Sequence, residues 1–160
     1  MYKIIITTQD KQTLTFNDWE DLDNVARDSV LHSFNDHPSY IVYKDQIMIC
    51  QMWHSNDMMH REGYEPAIIE YFLNGTIKEQ SWWIDNKVHR DDYHPAVIGY
   101  QRDQTIEFQE WWINGEEYGE DEYLNFLKEI DKTDLILQLT DSNDWIRKRA
   151  TNLNKIKNKL

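Results

Sequence analysis

A chain of 160 residues with 17 Lys plus Arg, 29 Asp plus Glu and a net charge of −12 is predicted to form one globular body rather than a collagen, coiled-coil or disordered chain. Its longest apolar stretches are triplets such as Ile4-Ile5-Ile6, far short of the roughly 20 residues a membrane span requires. Cys50 is the single cysteine, which excludes a disulfide scaffold and suits a reducing, cytoplasmic setting.

The first predicted elements are strands over Lys3 to Thr8 and Thr13 to Phe16, joined by Gln9-Asp10-Lys11-Gln12 with no signal-peptide pattern ahead of them. Asn17 followed by Glu20 reads as a capping box. Trp19, Leu22, Val25, Ala26, Val30 and Phe34 then fall at helical spacing, giving an amphipathic helix of about four turns laid on the sheet. From Ser39 to Ile113, runs rich in β-branched and aromatic residues predict six strands in an antiparallel meander. Asn74-Gly75 makes a tight type I′ turn and Asp103-Gln104 stands in the same place. Second turns fall at Asp85-Asn86 and Asn114-Gly115, with a short extension over Lys87 to Arg90. Beyond them, Tyr123, Leu124, Phe126, Leu127 and Ile130 predict a helix, Asp134 to Leu139 a short second, and Ser142 the cap of a third carrying Trp145, Ile146 and several basic residues. The fold class is α+β: an N-terminal hairpin and helix cap over 1–36, a repetitive antiparallel sheet over 37–118 and helices over 119–160, forming one compact unit.

Self-similarity organises the middle of the chain. A shift of 29 residues lays Gln51, Trp53, His60, Arg61, Tyr64, Pro66, Ala67, Ile69 and Tyr71 on Gln80, Trp82, His89, Arg90, Tyr93, Pro95, Ala96, Ile98 and Tyr100. A further shift carries Gln80, Trp82, Trp83 and Ile84 onto Gln109, Trp111, Trp112 and Ile113, after which the pattern lapses at Tyr118-Gly119. Upstream, His37-Pro38-Ser39-Tyr40 begins a leading half-copy. Isolated hairpins are marginal in water, so such units stabilise one another by stacking.

The string Trp82-Trp83-Ile84-Asp85-Asn86-Lys87-Val88-His89-Arg90, followed by Pro95-Ala96 and a strand, resembles the MORN-like hairpin repeats found in many phage and giant-virus proteins. The resemblance covers residues 37–118. It implies an interaction or scaffolding surface rather than catalysis, and a viral accessory protein acting in a host cytoplasm against a host factor.

Because successive strand side chains face opposite ways, the two tryptophans of each pair cannot share a face. Opposition of Ala67 to Trp82 makes a small-large pair, which places Trp53, Trp82 and Trp111 inward and leaves His54, Trp83 and Trp112, flanked by Glu79 and Glu110, as a contact stripe. Residues 1–122 hold 9 basic against 24 acidic side chains and residues 123–160 hold 8 against 5, so the expected partner is another protein with a basic surface, and direct nucleic-acid or membrane binding is not expected. An acidic decoy occupying a basic groove is the second class. The third is a metal-dependent hydrolase built on His60, His89, Asp91 and Asp92, with zinc as the candidate ion. Against it, His60-Arg61 and His89-Arg90 recur once per unit, as structural residues do, so no cofactor, metal or catalytic residue is assigned.

Overall fold

The structure, a computed structural model, describes residues 1–130. Its elements, in chain order, are β1 (Tyr2–Thr7), β2 (Thr13–Phe16), α1 (Trp19–Ala26), β3 (Tyr40–Lys44), β4 (Ile47–Met52), β5 (His54–Ser55), β6 (Met58–Met59), β7 (Ile68–Tyr71), β8 (Ile77–Ser81), β9 (Trp83–Ile84), β10 (Lys87–Val88), β11 (Val97–Tyr100), β12 (Ile106–Ile113), β13 (Glu116–Tyr118) and α2 (Glu120–Glu129). Two compact units contain them, Met1–Tyr118 and Gly119–Leu160. The helices expected from Asp134 and Ser142 lie outside the described residues. Among the described residues no helix is long and apolar enough to cross a membrane.

In the first unit, a nine-stranded antiparallel sheet runs β13-β12-β11-β8-β7-β4-β3-β1-β2 among the described residues. The six strands expected between Ser39 and Ile113 are its β3, β4, β7, β8, β11 and β12. The chain folds this way because the strands of the sheet are rich in β-branched and aromatic residues and the tight turns hold residues that tolerate positive φ. Asp45-Gln46, Asn56-Asp57, Asp85-Asn86 and Asn114-Gly115 all have both residues at positive φ, as two-residue I′ turns require. The last three close the short ribbons β5-β6 and β9-β10 and the β12-β13 pair, so the expected extension at Lys87 is the return strand of a ribbon.

At Asn74-Gly75 the structure departs from the expected two-residue turn. Only Gly75 has positive φ, and Phe72 N–H donates to the Thr76 carbonyl at 2.8 Å. The loop therefore has three residues, Leu73 to Gly75, with glycine in the left-handed position. Gln104, at φ 66, takes that place in the next hairpin, where Gln101 N–H donates to the Thr105 carbonyl. Each of the three central hairpins also carries a register shift, between Val42 and Tyr43, Glu70 and Tyr71, and Gly99 and Tyr100.

The register defines two faces. Across the sheet, Ile4, Val42, Cys50, Glu70, Glu79, Gly99 and Phe108 form one row on the first face. Ile5, Ile41, Gln51, Ile69, Gln80, Ile98 and Gln109 form the neighbouring row on the second. Where the first row is apolar, Ile4, Ile6, Phe16, Val42 and Cys50 make a buried cluster against which Leu22 and Ala26 of α1 pack. Beyond Cys50 that row turns acidic and aromatic.

Helix α1 is two turns long rather than four. Asp18, not Asn17, caps it, accepting from Asp21 N–H at 2.8 Å. After Ala26 the backbone is claimed by tertiary partners: Gln9 N–H donates to the Val30 carbonyl, His32 N–H to that of Thr7 and Ser33 N–H to that of His54. Val30 and Phe34 keep helical spacing in sequence but sit in an extended strap, because those hydrogen bonds and the Thr8–Leu31 bridge outweigh local propensity.

In the second unit, α2 starts at Gly119, whose N–H donates to Glu122 at 3.2 Å. Glu120, Asp121 and Glu122 occupy its first turn and Lys128 its last, each at the end where the helix dipole favours its charge. Tyr123 and Leu127 are its buried residues.

Candidate functional site

On the second face, Trp53, Trp82 and Trp111 are 4%, 7% and 5% exposed. Trp53 and Trp82 directly follow the returning strands β4 and β8 and are pinned by backbone and ring, while Trp111 lies within β12 opposite Tyr118. Trp53 N–H donates to the Ala67 carbonyl and Trp82 N–H to that of Ala96, both at 2.9 Å. Their indole N–H groups donate to the carbonyls of Asp36 and Tyr64, at 3.0 and 2.7 Å. An arginine lies on each ring: Arg61 over Trp53 and Arg90 over Trp82, both 3.9 Å from the centroid. Arg61 forks onto the Asp36 carboxylate at 2.7 and 2.8 Å and donates to the Pro66 carbonyl. Arg90 pairs with Asp92 at 2.9 Å and donates to the Pro95 carbonyl. Tyr71 and Tyr100 add hydroxyl donations to Gln51 and Gln80.

The histidines of the His-Arg pairs face the turn of the following unit. His60 Nδ1 lies 3.0 Å from the Asp85 carboxylate, and His89 Nδ1 accepts from Asn114 N–H at 3.3 Å while Nε2 faces Asp91. The ring thus holds a turn amide or side chain. His32, which no helical ligand spacing flagged, does the same one unit earlier, accepting from Asn56 N–H at 3.2 Å. Backbone bonds reinforce the stack: Asp57 N–H to the Leu31 carbonyl, Asn86 to Met59 and Gly115 to Val88. For His89→Ala we expect a loss of about 1 kcal/mol in urea unfolding, from one hydrogen-bonded ring contact; a change in any bound-metal content without such a loss would contradict the structural role.

Of the residues expected to form a contact stripe, Trp83, Trp112, Glu79 and Glu110 lie on the first face and His54 does not stand open there. His54 is only 8% exposed and its Nδ1 bonds Ser39 Oγ at 2.8 Å, so it belongs to the interior. Burial holds its imidazole below the usual histidine range, in the neutral form. Trp83 and Trp112 are half-buried. Their indole N–H groups turn back two residues, Trp83 to Ser81 Oγ at 2.8 Å and Trp112 to Glu110 at 2.9 Å, and Ser81 and Glu110 both stand on the first face. Two neighbours were missed: Glu70, directly across from Glu79, and Phe108, 39% exposed, whose ring lies against Gly99 where a Cβ would stand 2.1 Å from it. Counting by twos from Trp112 through Glu110 reaches Phe108, so the signal was present in the strand period.

Burial, with the nearby charges of Glu70 and Glu110, raises the Glu79 carboxyl above its ordinary value, and Lys78, paired to Glu70 at 2.7 Å, offsets this only in part. A raised folded-state value means the ionised form is the penalised one, so the penalty is present at neutral pH and relieved as pH falls through that value. Glu79→Gln is therefore expected to raise the melting temperature by about 1–2 °C near pH 7 and to confer no advantage at about pH 3, below the ordinary carboxylate value, where the wild-type carboxyl is already protonated. Thermal unfolding at both pH values checks it; a stabilisation that persists in acid would contradict it.

The other reactive groups have structural partners. Burial, aided by Glu70, pushes the Cys50 thiol up to about 12, so it is held as the thiol. A cleft of about 330 Å³ opens beside Arg61 and includes His32, Asp36, His54 and His60 but not His89 or Asp91. Among the described residues no three His, Cys, Asp or Glu side chains converge at metal-binding separation. Comparison with known proteins gives no match to a family model, to a curated protein or to a solved structure.

Proposed function

We propose that the chain is a binding module for another protein, built from a ββ unit recurring every 29 residues and closed by flanking caps. The recurrence of the same backbone, indole-carbonyl and arginine-indole contacts in successive units supports the modular reading, and the likeness to MORN-like repeats supports a scaffolding or inhibitory role, in the manner of a viral accessory protein. What carries the binding reading is the stripe itself: two indoles and Phe108 only half covered, with Glu110 bonded to one indole and Glu79 nearby at the cost of poor solvation. Such clusters of aromatic anchors and desolvated charge are where interfaces concentrate their energy. The partner complementary to it has a basic, partly apolar surface. The acidity of residues 1–122 favours a second reading, a nucleic-acid mimic occupying a basic groove.

The test is a Trp83→Ala, Trp112→Ala double variant used as bait beside the wild type. The expected result is loss of partner capture with a melting temperature changed by only a few degrees, about 1 kcal/mol or less. Destabilisation of about 3 kcal/mol or more would put those rings in the core. Capture that survives the double variant but disappears in high salt would favour the mimic, because exposed charge is screened and apolar contact is not.

A further inference from the structure

Cover over the first face is uneven. Helix α1 lies on its Ile4, Phe16 and Val42 end through Leu22 and Ala26, and the apolar cluster it seals runs on to Met52 and Ile68, which stay partly exposed. At the other end the Phe108 ring lies against Gly99 of β11. Between β3 and β11 stand β4, β7 and β8, so those two covered strands are four spacings, about 19 Å, apart. Helices packed side by side stand about 8–10 Å apart, and the gap therefore admits one helix next to α1. An apolar sheet face is ordinarily closed by such a layer. Among the described residues the first unit has no second helix to provide it.

The gap holds a trough of about 520 Å³. Val42, Cys50 and Met52 floor it, and its rims carry Trp19 of α1 and Leu73 after β7, 46% and 53% exposed. Large apolar side chains held in water on either side of an apolar floor mark a contact surface. Tyr40, Val42 and Lys44 of β3 all line the trough, which makes it four residue steps, about 13.5 Å, long. Helix anchors at i, i+4 and i+7 span about 10.5 Å and fit that length. The flank toward β8 is acidic: Glu70 and Glu79 stand directly across from each other. Lys78 is committed to Glu70, and among the described residues no ion pair reaches Glu79. We propose, resting on the protein-binding reading above, that the trough beside α1 takes one amphipathic helix of the partner protein. Its apolar stripe lies on Val42, Cys50 and Met52 between Trp19 and Leu73, and lysine or arginine on its flank meets Glu70 and Glu79.

The test selects binders for the full-length chain from a displayed library of random peptides about four helical turns long. Each selected sequence is then titrated, as a synthetic peptide, by fluorescence anisotropy against Met52→Lys, Leu73→Lys, Glu79→Gln and the Trp83→Ala, Trp112→Ala double variant. The expected result is enrichment of apolar residues at i, i+4 and i+7 with Lys or Arg beside them. Affinity should fall about tenfold in Met52→Lys and in Leu73→Lys, and severalfold in Glu79→Gln. Leu73 is more than half exposed, so its variant keeps the fold where Met52→Lys does not, and urea unfolding of each variant provides the control. Selected peptides of period-two pattern, or peptides that need the two tryptophans but neither Met52 nor Leu73, would overturn this inference and leave the protein-binding stripe standing. Peptides indifferent to all these substitutions would overturn both. A free chain that sediments as a dimer dissociated by Leu73→Lys would put a second copy in the trough and overturn the inference. No enrichment at all would overturn it alone, since capture through Trp83 and Trp112 tests the stripe separately.

Discussion

Trp82→Ala is expected to cost about 3–5 kcal/mol of folding stability, close to the whole margin of an ordinary domain. The indole is nearly fully buried, so its removal leaves a cavity too large for the surrounding strands to collapse into. Two further losses attend the cavity. The Tyr64 carbonyl loses the 2.7 Å donation that fixes its loop, and Arg90 loses the ring it lies on, leaving its guanidinium against a void. Urea unfolding followed by tryptophan fluorescence and circular dichroism measures the effect. Trp83→Ala, one residue away, serves as the contrast: its expected cost is about 1 kcal/mol or less. Equal losses at the two positions would mean that the sheet does not distinguish its faces as described.

Arg61→Leu is expected to cost about 2–3 kcal/mol. The Asp36 carboxylate is 64% exposed, so the ion pair itself contributes no more than about 1 kcal/mol after solvent screening. The remainder comes from stacking on Trp53, about 1 kcal/mol or somewhat more for a partly desolvated pair, and from the Pro66 carbonyl left without its donor. Arg61→Lys should recover less than half, since an ammonium keeps the charge but cannot fork onto Asp36 while lying flat on the ring. The carboxyl reports directly: Arg61 holds Asp36 below its ordinary value, and in Arg61→Leu an NMR titration should find it back in the usual carboxylate range. A depressed folded-state value means that this increment is present above the unfolded carboxylate range and is lost as pH falls through the lowered value. The difference between wild type and Arg61→Leu should therefore narrow in strong acid without vanishing.

The first hairpin and the six strands of the meander with their order were legible because those segments are β-branched and aromatic, the turns carry Asn, Asp and Gly, and the 29-residue spacing fixes which strand follows which; the β1-β3 pairing and the strand β13 were not. The inward placement of Trp53, Trp82 and Trp111 followed from the alternation of strand side chains plus one small residue, Ala67. What escaped was decided by contacts distant in sequence. Val30 and Phe34 fit a helix by spacing, yet Gln9, Thr7 and His54 take the backbone bonds that would have extended it. Asn74-Gly75 satisfies either a two-residue or a three-residue loop, and the register shift after Glu70, which sets Tyr71 against Ile77, selects the second. His54 occupies the slot of Trp83 and Trp112, and its ring bonds Ser39, which stands where Ala67 and Ala96 stand in the later units. Both substitutions can be seen in the sequence; that they form a 2.8 Å hydrogen bond cannot. Glu70 and Phe108 were overlooked because neither belongs to the repeated identities: Val42, Glu70 and Gly99 differ in kind, as do Cys50, Glu79 and Phe108, and it is this row that makes the first face apolar under α1 and acidic beyond it.

Excision of residues 67–95, one full unit, joins Pro66 to Ala96 and brings β11 to the edge of β4 in the register that β7 now holds. If equivalent contacts hold neighbouring units together, the shortened chain should still unfold in a single cooperative step, with a strand-rich circular dichroism spectrum and a denaturant slope reduced in proportion to the surface removed. A chain that instead lacks a cooperative transition, while excision of a loop residue elsewhere leaves one, would show that the matched segments are not interchangeable and that the modular reading is wrong.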